Sequence, residues 1–188
     1  MRAFIAIELP IAIKDALSKI QDKLEAEKLQ INWVKSQNLH LTLRFLGDIS
    51  SEQLIQIKQL ITEITKTASG FKIKLEALGV FPNAHAPRIV WIGTNQPPLE
   101  LKQLAKQLET KLPVSGIPQE ERSFRAHITI GRIKSRLVTS DLKKAFDKVE
   151  KDVINASWEL KCGRITLFES TLGPGGPTYT VLGKFKIT

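Results

Sequence analysis

His40-Leu41-Thr42-Leu43-Arg44-Phe45-Leu46-Gly47 is the stretch on which the reading of this chain turns. Side chains alternate across a β-strand, so His40 and Thr42 share one face while Leu41 and Leu43 share the other. The pattern predicts a strand that buries aliphatics and presents a polar pair. The same grammar returns in His127-Ile128-Thr129-Ile130-Gly131-Arg132, where the second histidine lies 127 minus 40, or 87, positions after the first. A lone His-x-Thr is usually a solvated sheet face. Two copies, using two of the chain's three histidines, are not expected from unrelated surface accidents.

Upstream of the first motif, residues 4–9 read as a short buried strand, and Pro10 stands where a first helical residue can lack its N–H. Ile13, Leu17, Ile20 and Leu24 then recur at helical spacing, and Trp33-Val34 leads into the motif. Downstream, Ser50 and Gln53 form a capping-box pattern for a helix striped by Leu54, Ile57, Ile61 and Ile64 and ending near Gly70. Phe71, Ile73 and Leu75 alternate with polar residues as a half-buried strand, with 88–93 as its expected successor. The segment between them reads as a loop carrying Pro82, Asn83, His85 and Pro87.

Pro97-Pro98 opens a third helix with Leu101, Leu104, Leu108 and Leu112 inward, stopped by Pro113 and Gly116. The second motif reads as a strand over 124–131, followed by a helix from about Ser140 with Leu142, Phe146 and Val149 inward. Strands around 158–160, 163–168 and 179–187 close the chain, with a Gly/Pro turn at 173–177. About four helices and seven or eight strands, without strict alternation of strand and helix, favour α+β with antiparallel sheets.

No Ser-, Gly- or Pro-rich linker divides the 188 residues, so one folded unit is expected over 1–188. Lys and Arg exceed Asp and Glu by 28 to 19, a net +9 that favours phosphate-bearing ligands without by itself choosing nucleic acid. The single cysteine, Cys162, cannot form an internal disulfide, which fits a reducing cytoplasm. The apolar opening is broken by Glu8 and Pro10, too short for a signal core and far from the ~20 residues that span a bilayer.

Paired histidines suit displacement at phosphorus. The attacking and leaving oxygens lie in line on opposite sides, so two proton-transfer groups across a cleft can serve both at once. Each threonine hydroxyl can donate to a non-bridging phosphate oxygen as charge builds there. The sequence has no close His/Cys/Asp/Glu cluster with ligand spacing, no Gly-x-Ser-x-Gly elbow and no Walker or Rossmann glycine fingerprint, so neither metal nor cofactor is expected.

The double motif resembles the 2H phosphoesterase superfamily, and within it the RNA 2′,3′-cyclic phosphodiesterases formerly called 2′-5′ RNA ligases. The likeness extends to residues 2–10, Trp33-Val34, 88–93 and 179–187, nearly the whole chain. It implies a bilobal, pseudo-two-fold fold in which each half gives one motif to a central cleft. It also implies metal-free opening of a 2′,3′-cyclic phosphate on RNA or a nucleotide to a 2′-phosphate; a monomer is the expected default, because two lobes already build the cleft. The resemblance makes His40 the proton donor to the departing 3′ oxygen, His127 the acceptor from water, Thr42 and Thr129 phosphate contacts, and Phe45 with Arg132 the clamp on the base. Simple alternation objects to that last pair. Five positions after its histidine, each belongs to the opposite face unless its strand bends, with Gly47 and Gly131 as candidate places.

Other readings stay open. His85 could border the cleft or be a solvated loop residue, Arg125 could touch phosphate or be exposed, and Tyr179 could be a core aromatic. The substrate could instead be an ADP-ribose cyclic phosphate or a 2′,5′-linked oligonucleotide, or the reaction could run as ligation. From another class, a non-catalytic module binding single-stranded RNA would account for the charge, though not for twin His-Thr pairs.

Overall fold

The computed structural model describes residues 1–134 and 139–188. Strand β1 (Arg2–Glu8) is buried on both faces from Ala3 to Ile7, as its unbroken apolar run requires of a central strand. Pro10 caps helix α1 (Ile11–Glu25), which turns Ile13, Leu17, Ile20 and Leu24 inward. A short strand, β2 (Ile31–Trp33), and a 3-10 turn (Ser36–Asn38) precede β3 (His40–Asp48). Helix α2 (Ser51–Thr67) opens on the expected capping box. The Gln53 amide donates to Ser50 Oγ at 3.2 Å and the Ser50 amide to Gln53 Oε1 at 3.0 Å, a motif worth about 1 kcal/mol.

After α2 come β4 (Phe71–Leu75), β5 (Ala77–Phe81), β6 (Ile89–Gly93) and helix α3 (Leu99–Lys111). The second motif forms β7 (His127–Ile133), then follow helix α4 (Thr139–Ala156) and strands β8 (Trp158–Cys162), β9 (Arg164–Gly173) and β10 (Gly176–Lys186). Ten described strands exceed the expected seven or eight. Part of the excess is β5, inside the segment read as a loop: its Gly79 and Pro82 flank mask a short strand that has little pattern of its own. Nor does β4 pair with 88–93; it pairs with β8, and β5 takes the place beside β6. The second motif strand begins at His127 rather than 124.

The main sheet runs β10-β9-β1-β3-β7-β6-β5, with β2 also paired to β7, and β4-β8 makes a second sheet; every described pairing is antiparallel. At its middle, β3 meets β7 through one residue pair, Leu41 opposite Ile128. A pseudo-two-fold through that point exchanges β3 with β7, β1 with β6 and β9 with β5. The chain order explains it: β1-α1-β3-α2-β4-β5 is repeated as β6-α3-β7-α4-β8-β9. The last strand of each repeat crosses to the first strand of the other, β5 onto β6 and β9 onto β1.

One continuous core, fed by Leu17 and Leu24 of α1, Ile57 and Ile61 of α2, Leu101 and Leu108 of α3 and Val149 and Val153 of α4, packs against Leu41, Leu43, Ile128 and Ile130. Helices therefore cover the aliphatic face of the sheet, and the face carrying the histidines is left open. The fold is α+β, in two pseudo-symmetric halves with antiparallel strands lining the space between them.

The alternation of both motif strands is broken at the same place. In β3 the register against β1 passes from Thr42↔Ala6 to Arg44↔Ile5, leaving Leu43 extra; in β7 the register against β6 passes from Thr129↔Trp91 to Gly131↔Val90, leaving Ile130 extra. Each bulge falls three residues after its histidine and puts two consecutive residues, Leu43-Arg44 or Ile130-Gly131, inside. Parity is thereby reversed, and Phe45 and Arg132 emerge on the histidine side. The bulge that turns Phe45 lies earlier than Gly47, but a second register shift, leaving Leu46 extra, falls directly before that glycine, whose φ is +70°. Gly131 does take part: a Cβ there would lie 2.6 Å from Ile31 Cγ2 and 2.9 Å from Trp33 Cε3.

Each bulge is braced by a buried polar side chain. Gln21, on the apolar face of α1, donates from Nε2 to Ile130 O and to Val34 O, both at 2.8 Å. Arg44 bonds the Pro118 carbonyl and lies 3.3 Å from both Glu109 and Glu120, tying β3 to α3 and to the loop that leads into β7.

Candidate active site

His40 and His127 open β3 and β7. With Leu41 opposite Ile128, the antiparallel register sets Thr129 across from His40 and Thr42 across from His127. The two histidines are then neighbours on one face, near enough for the charge of His127 to bear on His40. Because the strands share a single paired position, they splay on either side of it and open a cleft.

The two rings are held alike. Nδ1 of His40 lies 2.7 Å from the carbonyl of Asn38, and Nδ1 of His127 lies 2.8 Å from that of Arg125, each two residues upstream. A carbonyl can only accept, so each Nδ1 carries the hydrogen and each Nε2 is left as the free nitrogen. Thr42 and Thr129 are partly buried, and neither hydroxyl has a hydrogen-bond partner among the described residues. Two orienting carbonyls, two basic nitrogens and two uncommitted hydroxyls thus line one face.

Aromatic rings wall both histidines. Tyr179 meets His40 edge-on at 5.3 Å between centroids, and Phe81 meets His127 at 4.9 Å, both at an interplanar angle of 89°. Phe4 packs on His40 at 4.8 Å and on Phe168 at 5.2 Å, while Trp91 stacks on Phe81 at 5.2 Å. The indole of Trp91 lies across Gly79, where a Cβ would come within 2.7 Å of Cε2. Burial pushes His40 down to about 4, reinforced by the charges of Lys14, His127 and Arg132 and opposed by the Asn38 carbonyl. Burial also lowers His127, with Arg125 adding to the effect. Both rings are neutral at pH 7, in a positive field that an anion would offset.

Phe45 is 59 % exposed and faces the Phe4 ring at 6.1 Å, on the His40 side. Arg132, from the other half, lies close enough for its charge to bear on both His40 and Tyr179. The bulges thus bring these two residues to the histidine face, where alternation alone would not. Arg125 stands beside His127 with its guanidinium carbon 5.5 Å from the Phe81 centroid, although it precedes the strand rather than lying in it. Tyr179 is a wall of the site, not a core residue. His85 is exposed in the loop after β5, its amide bonded to Asn83 Oδ1 at 3.0 Å. Residues 173–176 form the turn of the β9–β10 hairpin.

Sequence reasoning did not find Phe4, Phe81, Trp91, Phe168 or Lys14. The aromatics sit in apolar runs whose pattern does not say which face meets helices and which meets the cleft. Lys14 looked like any solvated residue of α1. Among the described residues no three His, Cys, Asp or Glu side chains converge as a metal site would require, and no helix is long and apolar enough to cross a membrane.

The repeat seen in the strands is also present in the sequence relationship. The model of the LigT like Phosphoesterase family matches this chain twice, over residues 7–91 and 92–179. An RNA 2′,3′-cyclic phosphodiesterase of Aquifex aeolicus is 36% identical over 98% of this chain and 96% of its own length. One of Methanocaldococcus jannaschii is 36% identical over 97% and 98%. The crystal structure of Escherichia coli LigT complexed with 3′-AMP superposes with a TM-score of 0.82 at 32% identity, covering 100% of this chain and 98% of that one. Matched through both halves, from the strand before the first histidine to the tyrosine that walls it, this chain belongs to the LigT-like phosphoesterase family.

Proposed function

We propose that this chain is a cyclic phosphodiesterase that opens 2′,3′-cyclic phosphate ends of RNA to 2′-phosphomonoesters, using His40 and His127 as proton donor and acceptor without a metal. The observation that carries the reading is the pair of Nε2 nitrogens, each freed by an Nδ1–carbonyl bond, facing one cleft with two unpartnered threonine hydroxyls. The names of the relatives point to the same substrate group.

In the reaction, His127 Nε2 takes a proton from water as its oxygen attacks phosphorus. The P–O3′ bond breaks opposite the attack, and His40 Nε2–H protonates the departing oxygen. Thr42 and Thr129 donate to the non-bridging oxygens, where charge accumulates. Solvent exchange then returns the proton from His127 and reloads His40. Phe45, Phe4, Tyr179 and Arg132 all gather on the His40 side. That supports seating the nucleoside there, with its base between Phe45 and Arg132 and its O3′ next to His40. Since burial holds His40 neutral at pH 7, it acquires its proton together with the anionic substrate. Both histidines come from one chain, which supports a monomeric enzyme with residues 1–188 acting as one catalytic unit.

The test is incubation of purified protein with a 2′,3′-cyclic nucleotide in excess chelator, with the product identified by phosphorus NMR. A 2′-phosphate formed at an undiminished rate supports the reading. An untouched substrate, or activity lost with the chelator, overturns it.

A further inference from the structure

We propose that the RNA strand 5′ of the reacting end is held on a basic track that leads from His40, across Glu8, onto the surface of β8, β9 and β10, a second binding surface outside the catalytic cleft. This rests on the reading above, in which the nucleoside lies on the His40 side; the rest of the strand must then leave by that side.

Two cavities mark the route. One, of about 480 Å³, opens beside His40 between Lys14 and Lys35 on one wall and the β9–β10 turn on the other. That wall is fixed in place, because Lys35 Nζ donates to Gly175 O at 2.9 Å and Asn38 Nδ2 to Pro177 O at 2.8 Å. The second, of about 620 Å³, is lined by Lys161, Arg164, Lys184 and Lys186, with Phe185 beside them. Glu8 lines both, so the cavities adjoin.

The charges suit a phosphate backbone. Among the described residues that line the route the one carboxylate, Glu8, is already committed: it accepts from Thr166 Oγ1 at 2.6 Å and pairs with Lys184 at 3.0 Å. Lys161, Arg164 and Lys186 are exposed and have no ion-pair partner among the described residues. Unpaired cations at the rim of a groove, with one aromatic ring beside them, hold a single strand by its phosphates with little regard to sequence. A cleft serving only free nucleotides gives no reason for a cationic groove continuous with its donor side.

The experiment compares kcat/KM for a mononucleoside 2′,3′-cyclic phosphate with that for a trinucleotide ending in the same group. The trinucleotide should be favoured by about tenfold at low salt, the advantage shrinking as salt rises in the manner of backbone contacts. The double variant Arg164→Gln/Lys186→Gln, at two exposed positions that line the second cavity and not the one beside His40, should erase the advantage and leave the mononucleotide rate unchanged. Equal rates on both substrates in the unaltered protein, or a variant that slows both alike, would overturn the track. If neither substrate turns over, the catalytic reading fails, and the track is still decided by fluorescence anisotropy with a labelled trinucleotide 3′-phosphate. Binding weakened by the double variant supports it; unchanged binding ends it.

Discussion

The halves around His40 and His127 share a backbone and differ in what they were given to hold. Each has a His-x-Thr strand, a ring anchored through Nδ1 to the carbonyl two residues upstream, and a bulge three residues on. Yet His40 is enclosed by Phe4 and Tyr179 and lies under the influence of Lys14 and Arg132, whereas His127 has Phe81 and Trp91 with Arg125 alongside. Symmetry of the strands sets two equivalent imidazoles on one face. The surroundings differ: on the proposed reading, Phe45 and Arg132 on the His40 side give the pair its direction.

The largest effects should come from removing either histidine. His40→Ala and His127→Ala should each lower kcat by about 10³-fold or more, and the double variant should be little worse than either, since on the proposed reading the two act in one transition state. A substrate whose 3′ bridging oxygen is replaced by sulfur separates the roles, because a thiolate leaves without a proton. His40→Ala should regain most of its lost rate on that substrate and His127→Ala should not. Rescue of the His127 variant instead would reverse the direction of the site while leaving its chemistry intact.

Next in size are the threonines. Loss of one donor to a charge that builds in the transition state costs about 10²-fold in kcat, so Thr42→Ala and Thr129→Ala should each fall by that order with KM less affected, and Thr→Ser should recover most of it. If the halves stabilise the two non-bridging oxygens equally, the two losses will match. A large inequality would mean that phosphate sits closer to one strand.

What could be read from the sequence was what repeats at fixed spacing. The apolar stripes of α1, α2 and α3, the Ser50–Gln53 cap and the face shared by His40 with Thr42 are local patterns, and each is found where periodicity puts it. The glycines marked where the strands could bend, but the extra residues Leu43 and Ile130 were not legible, because an extra residue is defined only by the partner strand it fails to match. Alternation therefore set Phe45 and Arg132 on the wrong face. The crossing of β5 and β9 between repeats, and the edge-on contact of Tyr179 with His40, depend on residues more than 130 positions apart for the latter, since 179 minus 40 is 139. Gln21 carried a weak signal: a polar residue on the apolar stripe of α1, which a buried backbone acceptor explains.

The bulges offer a comparison in stability. At the position after the extra residue, one half has Arg44, buried at 7 % exposure among Glu109, Glu120 and the Pro118 carbonyl, and the other has Gly131 beneath Trp33. Arg44→Ala should cost about 3 kcal/mol, because it leaves a cavity and unties the loop before His127. Gly131→Ala should cost about 1–3 kcal/mol through overpacking against Ile31 and Trp33. Urea unfolding would measure both. If Arg44→Ala also lowers kcat when the fold is intact, the loop it ties is needed to present the Arg125 carbonyl to His127.

The smallest effect is the one most specific to the difference between the histidines. His40 is held at about 4 against an ordinary 6.5, so the unfolded chain binds a proton at this site more readily than the folded chain does. Stability from this group is present above the ordinary value and is lost as pH falls from about 6.5 toward 4. Between pH 7 and pH 5 the protein should lose about 1–2 kcal/mol from His40, with a further loss of the same sign from His127. Urea midpoints at the two pH values measure the sum, and His40→Gln, which cannot take up the proton, isolates the larger part by flattening the dependence. An oxyanion between the rings should act the other way. Inorganic phosphate would favour the protonated imidazoles, so its binding should be accompanied by proton uptake, read as a buffer-dependent heat of binding at pH 7. Uptake that survives His127→Gln but not His40→Gln would identify His40 as the ring that charges when the anion arrives, which is what a proton donor on the nucleoside side requires.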